Sequence, residues 1–487
     1  MANAEHLRLL LSPDWLRFRQ ENPRIAPDLT GANLQGQDLR GKDLSRAVLR
    51  HADLHGANLD GAILAFAVVE GARLSGASFQ GADFTGVSLD LVSLARANLR
   101  RARFSQASFR GTDFSAADLR EADFSKANLE GALFTGANLA GANLSGASLR
   151  GVRWEGADLS SAVLDQAMAE GVDFSDLNLA CARFVSFYGV RANFARANLQ
   201  GVIFRDAVLR EASFQEARLK GATLEKCELN KASLRDADLE QAQVVACDMQ
   251  GCDFRGCLLA EASFKGVQLA ASNWAGQDLR LPRLEGCSLV RANLTGALLR
   301  GLNLARFRLE QARLEGADLR EADLEGAVME EAVLTGANLR GAKLRQARLA
   351  RVQAEDADVS GCDLVLADLT GAELMRADLR FSRLIGADCR HTRFLWSDLR
   401  RADLTNAAVV GANFWGCRLK GAKLPWAAWP WRFLLIFASA LVAIRRKRQE
   451  ALQRERQRRI QQTVRLVREL EGKDPILRRA GVPRDRR

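Results

Sequence analysis

The sequence predicts an all-β solenoid, and three observations predict it. First, large apolar residues recur every five positions, as at Leu319, Leu324, Met329, Leu334, Leu339 and Leu344. A helix needs a period near 3.6 and a strand a period of two, and five fits neither. Second, the period runs from Leu29 to Leu424 without insertion or deletion, and Leu or Phe fills 68 of its 80 positions. Third, the residue two before each large one is Ala in 52 of the 80 units, and Gly often lies two after it. Each unit therefore reads as a short strand that turns one large and one tiny apolar side chain inward. Gly at the corner supplies unusual backbone angles. No such unit buries its apolar side alone, so the units must stack.

The pattern Ala-(Asp/Asn)-Leu-x-Gly, as in Ala52-Asp53-Leu54-His55-Gly56 and at Ala317-Asp318-Leu319, resembles the pentapeptide-repeat family. The resemblance covers about four-fifths of the chain. It implies a right-handed quadrilateral β-helix with four pentapeptides per coil, one on each wall. The 80 units then make about 20 coils. At a strand spacing of ~4.8 Å the rod is about 95 Å long. Residues 20 apart lie above one another. Phe114, Phe134, Trp154, Phe174, Phe194 and Phe214 become one inward column, read as stacked core rather than a cofactor box. The stretch Val185–Arg191 breaks the pattern. Gly189 takes a large slot, Phe187 a small one, and Tyr188 is the sole Tyr. A local bulge or swapped packing is expected there.

Four segments follow: residues 1–27 with a capping helix, the repeat body 28–425, an apolar Trp-rich segment 426–448, and a basic helical tail 449–487 with a frayed end. Ser12 reads as an N-cap with Pro13 at the first helical position. That helix runs to about Gln20, carries Trp15, Leu16 and Phe18, and serves as a lid on the first coil. The N-terminus has no signal-peptide pattern.

Trp426, Trp429 and Trp431 precede 12 uncharged residues, Phe433 to Ile444, and the cluster Arg445, Arg446, Lys447 and Arg448 follows. Three readings stand: a cap on the last coil, an anchor on an anionic membrane surface, or a seam between two copies. Ile460, Val464, Val467 and Leu470 form a helical apolar stripe suited to a homodimer or partner helix. Residues 426–487 hold 17 Lys or Arg and six Asp or Glu, so the whole +11 excess lies there. Residues 1–425 balance at 53 of each sign. A neutral body disfavours a polyanion mimic, and nucleic-acid binding, if any, falls to the tail.

Two outward features are candidate sites. One column reads Arg280, Arg300, Arg320, Arg340, Ser360, Arg380, Arg400 and Lys420. The residues two before each are mostly Asp. This is either an Arg–Asp ladder supporting the stack or a ridge facing anions. The other feature is an apolar wall of Met375, Leu395 and Trp415 with Trp396 beside it. Val365, Leu366 and Ile385 are expected outward on the opposite wall.

No catalytic or cofactor site emerges. Gly36 to Asp43 matches part of a phosphate loop but lacks its Ser/Thr. His51, Asp53 and His55 read as corner residues rather than metal ligands. Seven cysteines, at 227, 247, 252, 257, 287, 362 and 417, occupy the small inward slot. They behave there as small hydrophobes rather than a zinc cluster. Reduced thiols suggest the cytoplasm, and the anchor reading adds the inner membrane face. The expected function is a non-enzymatic scaffold for protein partners. The resemblance also implies an alternative, a DNA-mimicking binder of type II topoisomerases such as gyrase.

Overall fold

The computed structural model describes residues 2–425. The segment 426–448, including Trp426, Trp429, Trp431 and Arg445 to Arg448, and the tail 449–487 lie outside the described residues. Among the described residues the repeat is an all-β solenoid. Parallel bridges join the residue before the large one in successive coils, 20 positions apart, from Asp28↔Val48 to Asp403↔Lys423. A typical rung has Asp53 N donating to Ala32 O at 2.9 Å and Leu34 N donating to Asp53 O at 2.7 Å.

Each strand is short because the corner follows at once. Ala32 N donates to Leu29 O at 3.0 Å, and Gly31 between them has φ 69°. A closing bond across four residues with positive φ at the third is a type II turn, the geometry that favours Gly. Yet most corner residues are not Gly. Arg46, Phe66, Glu121 and Trp396 all hold φ near 60°. Their left-handed backbone costs about 1–2 kcal/mol each. It persists because the corner N–H is bonded to the next coil, as in Glu121 N to Ala140 O at 3.0 Å.

The frequent Asp or Asn before the large residue has a local cause. Its side chain accepts from the backbone N–H two residues on, as Asn33 Oδ1 does from Gln35 N at 3.1 Å. This ties down the turn.

One wall differs. Strands β1 (Arg183–Val185), β2 (Ile203–Arg205), β3 (Thr223–Glu225), β4 (Gln243–Val245), β5 (Ser263–Lys265) and β6 (Arg283–Glu285) form a parallel sheet in that order. Here the strand continues past the large residue, because the corner lacks the usual closing bond. Cys227 N, for example, donates to Cys247 Sγ instead of Leu224 O.

The interior is the expected alternation of large and small residues. The predicted aromatic column is buried and stacked. Successive centroids from Phe114 to Phe214 lie 4.8, 4.8, 6.1, 5.0 and 5.0 Å apart. At Val185–Arg191 the packing is swapped. Phe187 is buried in the small slot, and its ring occupies the space a Cβ on Gly189 would need.

The N-terminus departs from expectation. There are two helices, α1 (Ala4–Leu10) and α2 (Trp15–Glu21). Asn3 caps α1 by accepting from Glu5 N and His6 N. For α2, Ser12 is not the N-cap and Pro13 is not helical. Asp14 is the cap residue and makes no side-chain cap bond. The Ser12 hydroxyl is engaged elsewhere, donating to Leu9 O at 3.0 Å and accepting from Asp14 N at 3.2 Å.

α2 is fixed to the repeat by two buried side chains. Trp15 Nε1 donates to Asp43 O at 3.0 Å. Arg19 is 3% exposed, pairs with Asp43 at 3.3 Å, and donates to Ile25 O and Ser45 O. Arg19→Ala strands these acceptors. Asp43 retains some solvent, so the expected cost is about 2–3 kcal/mol, below that of a fully buried pair. Amide exchange should accelerate in residues 28–48 and stay unchanged past 300, because each coil senses only its neighbours.

Candidate functional site

The register sets the residues of the basic column one coil apart, and their pairing is not a ladder between coils. Asp278 accepts from Arg280 N and Nε, and its second oxygen lies 2.6 Å from Arg280 Nη2. The same clasp joins Arg320 to Asp318, Arg380 to Asp378 and Arg400 to Asp398, at 2.6, 2.6 and 2.8 Å. Each pair lies within one corner, because an Asp already turned onto the backbone two residues on also presents an oxygen to that residue's guanidinium. The expectation that these pairs hold the stack together is therefore corrected: they brace turns.

The exceptions are informative. Leu298 replaces the Asp beside Arg300, which reaches Glu321 in the next coil at 2.9 Å. Arg340 has only Asn338, which accepts from its backbone N–H. Among the described residues neither Arg340 nor Lys420 has an ion-pair partner. Among the described residues the column is thus charge-compensated at five positions and open at Arg340 and Lys420.

The clasp has an acid-side signature. The Arg280 and Arg320 guanidiniums hold the Asp278 and Asp318 carboxyls below the ordinary range. The Arg40 guanidinium holds Asp38 at about 2. A depressed carboxyl contributes stability above its unfolded pKa and loses it as pH falls through the folded value. Denaturant midpoints should therefore decline from about pH 4 toward about 2, while carboxyl shifts followed by NMR report these residues titrating last.

The apolar candidates also come together. Trp396 N donates to Trp415 O at 2.9 Å, and Arg376 N to Leu395 O at 2.9 Å. Trp415 is 51% exposed; Met375, Leu395 and Trp396 are half-buried. The Trp396 ring lies across Gly416, where any Cβ would collide with it. Sequence reasoning missed two further apolar residues near this end. Phe381 is exposed, with Arg401 5.3 Å above its ring, and Val410 is 68% exposed. Their corner positions were the available signal. Leu366 is exposed as expected and Ile385 is half-buried, but Val365 is buried.

The other constellations separate. The His51 ring covers Gly71 and the His55 ring approaches Gly76, while Asp53 pairs with Arg73 at 3.0 Å. Cys247, Cys252 and Cys257 address different carbonyls, Leu224 O, Leu229 O and Leu234 O. Among the described residues no group of three or more His, Cys, Asp or Glu is placed to hold a metal. No helix among them is long and apolar enough to cross a membrane.

Sequence comparison agrees with this architecture. The family described as Pentapeptide repeats matches residues 28–65, 58–90, 97–136, 137–176, 190–225, 283–316, 312–351, 347–380, 355–388 and 397–428. A second description, Pentapeptide repeat region, covers 223–294. The chain belongs to the pentapeptide-repeat family.

No curated protein sequence matches it. Solved structures similar to this pentapeptide-repeat chain include full-length QnrB1, a plasmid-mediated fluoroquinolone resistance protein. It is 20% identical, with 42% of this chain and 93% of that one covered and a TM-score of 0.22. HetL from the cyanobacterium Nostoc sp. strain PCC 7120, involved in heterocyst differentiation regulation, is 25% identical. The match covers 63% of this chain and 90% of HetL, with a TM-score of 0.11. A pentapeptide repeat protein from the Arabidopsis thaliana thylakoid lumen is 27% identical, covering 22% and 65%, with a TM-score of 0.13. At these scores the neighbours carry no argument about partners.

Proposed function

We propose that this pentapeptide-repeat protein is a non-enzymatic interaction scaffold, a rod of about 20 coils whose start is covered by α2. In this reading it binds protein partners near the C-terminal end of the described repeat. One observation carries it. The outward cluster of Trp396, Trp415, Met375 and Leu395 lies at the corner that leads into Arg380, Arg400 and Lys420. Trp and Arg dominate binding hot spots. An apolar cluster beside cations fits a partner surface with apolar side chains flanked by carboxylates.

The test is a photo-crosslinking residue placed at Trp415 and, separately, at Glu155 on the same wall. The scaffold reading expects a discrete adduct from position 415 in cells and none from 155. Equal, diffuse labelling from both would contradict it.

The topoisomerase alternative is tested by gyrase supercoiling. It requires an acidic rod, whereas residues 1–425 carry balanced charge and the Arg column ties up its own carboxylates. The scaffold reading expects supercoiling to proceed unimpeded, and stoichiometric inhibition would favour the alternative. Retardation of duplex DNA that falls steeply with salt would instead point to the basic tail.

A further inference from the structure

Two cysteines share the same inward slot in adjacent coils, Cys227 after β3 and Cys247 after β4. The strands pair in register, Leu224 with Val244 and Glu225 with Val245, so the two cysteines are one rung apart. A rung of ~4.8 Å falls inside the ~4.4–6.8 Å Cα separation that a disulfide spans. No other cysteine has a partner 20 residues away.

Cys227 departs from how this fold uses its other small-slot thiols, whereas Cys247 keeps the common pattern. Cys252, Cys257, Cys362 and Cys417 each donate to the large residue 23 positions earlier, at Leu229, Leu234, Leu339 and Phe394 O. Cys227 donates to Glu225 O at 3.4 Å, and Cys247 to Leu224 O at 3.4 Å. The two thiols thus converge on consecutive carbonyls of one coil. The open turn frees Cys227 N, which donates to Cys247 Sγ at 3.3 Å. The Cys247 sulfur therefore reaches across the rung to the backbone of its neighbour.

We propose that Cys227 and Cys247 form an oxidative modification site that closes to an intercoil disulfide, with hydrogen peroxide as oxidant. The Cys247 thiolate attacks the peroxide. An S–O bond forms, the O–O bond breaks, and the first water leaves, giving a sulfenic acid. Cys227 then attacks that sulfur. The S–S bond forms, the S–O bond breaks, and a second water departs. The two thiol protons end in the two waters, and two electrons pass from the sulfurs to the peroxide.

The direction of attack has a physical basis. The neighbouring Cys227 side chain and its backbone N–H favour charge on Cys247 and lower its pKa, and the proximity of Cys247, with burial, pushes Cys227 up. Both side chains are 1% exposed. Reaction therefore follows opening of a corner that lacks its closing bond.

The test uses the full chain, treated with hydrogen peroxide, then denatured, alkylated and digested with trypsin. Cleavage at Lys226, Lys231, Arg235 and Arg255 separates peptide 227–231 from peptide 236–255. The expected result is these two peptides joined through Cys247, with two of the nine cysteines lost to alkylation. In Cys227→Ser, Cys247 should instead be trapped as a dimedone-reactive sulfenic acid. Nine alkylated thiols after peroxide, linkage through Cys252, or overoxidation without a bridge would each overturn the proposal in the unmodified sequence.

Discussion

Deletion of Gly136 alone is expected to abolish the native fold, whereas deletion of the 20 residues 136–155 is expected to preserve it. Strand side chains alternate between inside and outside, so a one-residue slip turns every large residue from Leu139 onward to solvent. Exposing a buried Leu or Phe costs about 1.5–3 kcal/mol. A few such residues exceed the ~5–15 kcal/mol total stability of a folded domain. Looping out four more residues would restore the alternation, but it would shift every column by one wall and break the aromatic stack. Removing 20 keeps each residue above a partner of the same column, because the bridges join positions 20 apart. Far-UV circular dichroism and amide exchange distinguish the outcomes. Native spectra for the single deletion would contradict the register.

Phe134→Ala should be the most damaging single substitution among the aromatics. Phe134 is fully buried between Phe114 and Trp154, with both centroids at 4.8 Å and ring planes 6° and 16° apart. Phe124 meets it edge-on at 6.0 Å. Truncation opens a cavity in a column whose backbone is fixed above and below, which costs about 3–5 kcal/mol. In a solenoid the loss is local. Exchange protection should fall most in residues 114–154 and recover within a few coils. A loss under about 1 kcal/mol would mean that the column collapses around the gap.

The interior was legible because period and burial are the same fact in this fold. A residue four places into its unit has nowhere to go but inward, so the period alone places Phe114 to Phe214 in one inner column. The swap at Phe187 and Gly189 was legible for the same reason, as large and small exchanged slots. The corners were less so. Gly marks a left-handed turn, but Arg46, Phe66 and Trp396 adopt it too, since bonds to the next coil impose the angle and local preference does not decide it. The β1–β6 wall with its open turns carries larger residues than Ala in most of its small slots, as at Phe187, Cys227, Cys247, Val267 and Cys287.

At the candidate site, the sequence placed Arg and Asp two apart but left their partnership undecided. Only the reach of an Asp already bound to the turn shows that pairing stays within the coil. Arg19 gave no signal of burial. A charged residue on an exposed-looking helix becomes buried only when Asp43, Ile25 and Ser45 converge on it. Trp426 to Arg448 lie outside the described residues.

The central claim is that 20 residues make one turn of a stacked rod. Small-angle X-ray scattering tests it most directly, comparing the full chain with one lacking residues 131–230. Five rungs at ~4.8 Å should vanish, shortening the particle by about 24 Å with its cross-section unchanged. An unchanged length, or a cross-section that grows as the chain shortens, would contradict the solenoid account.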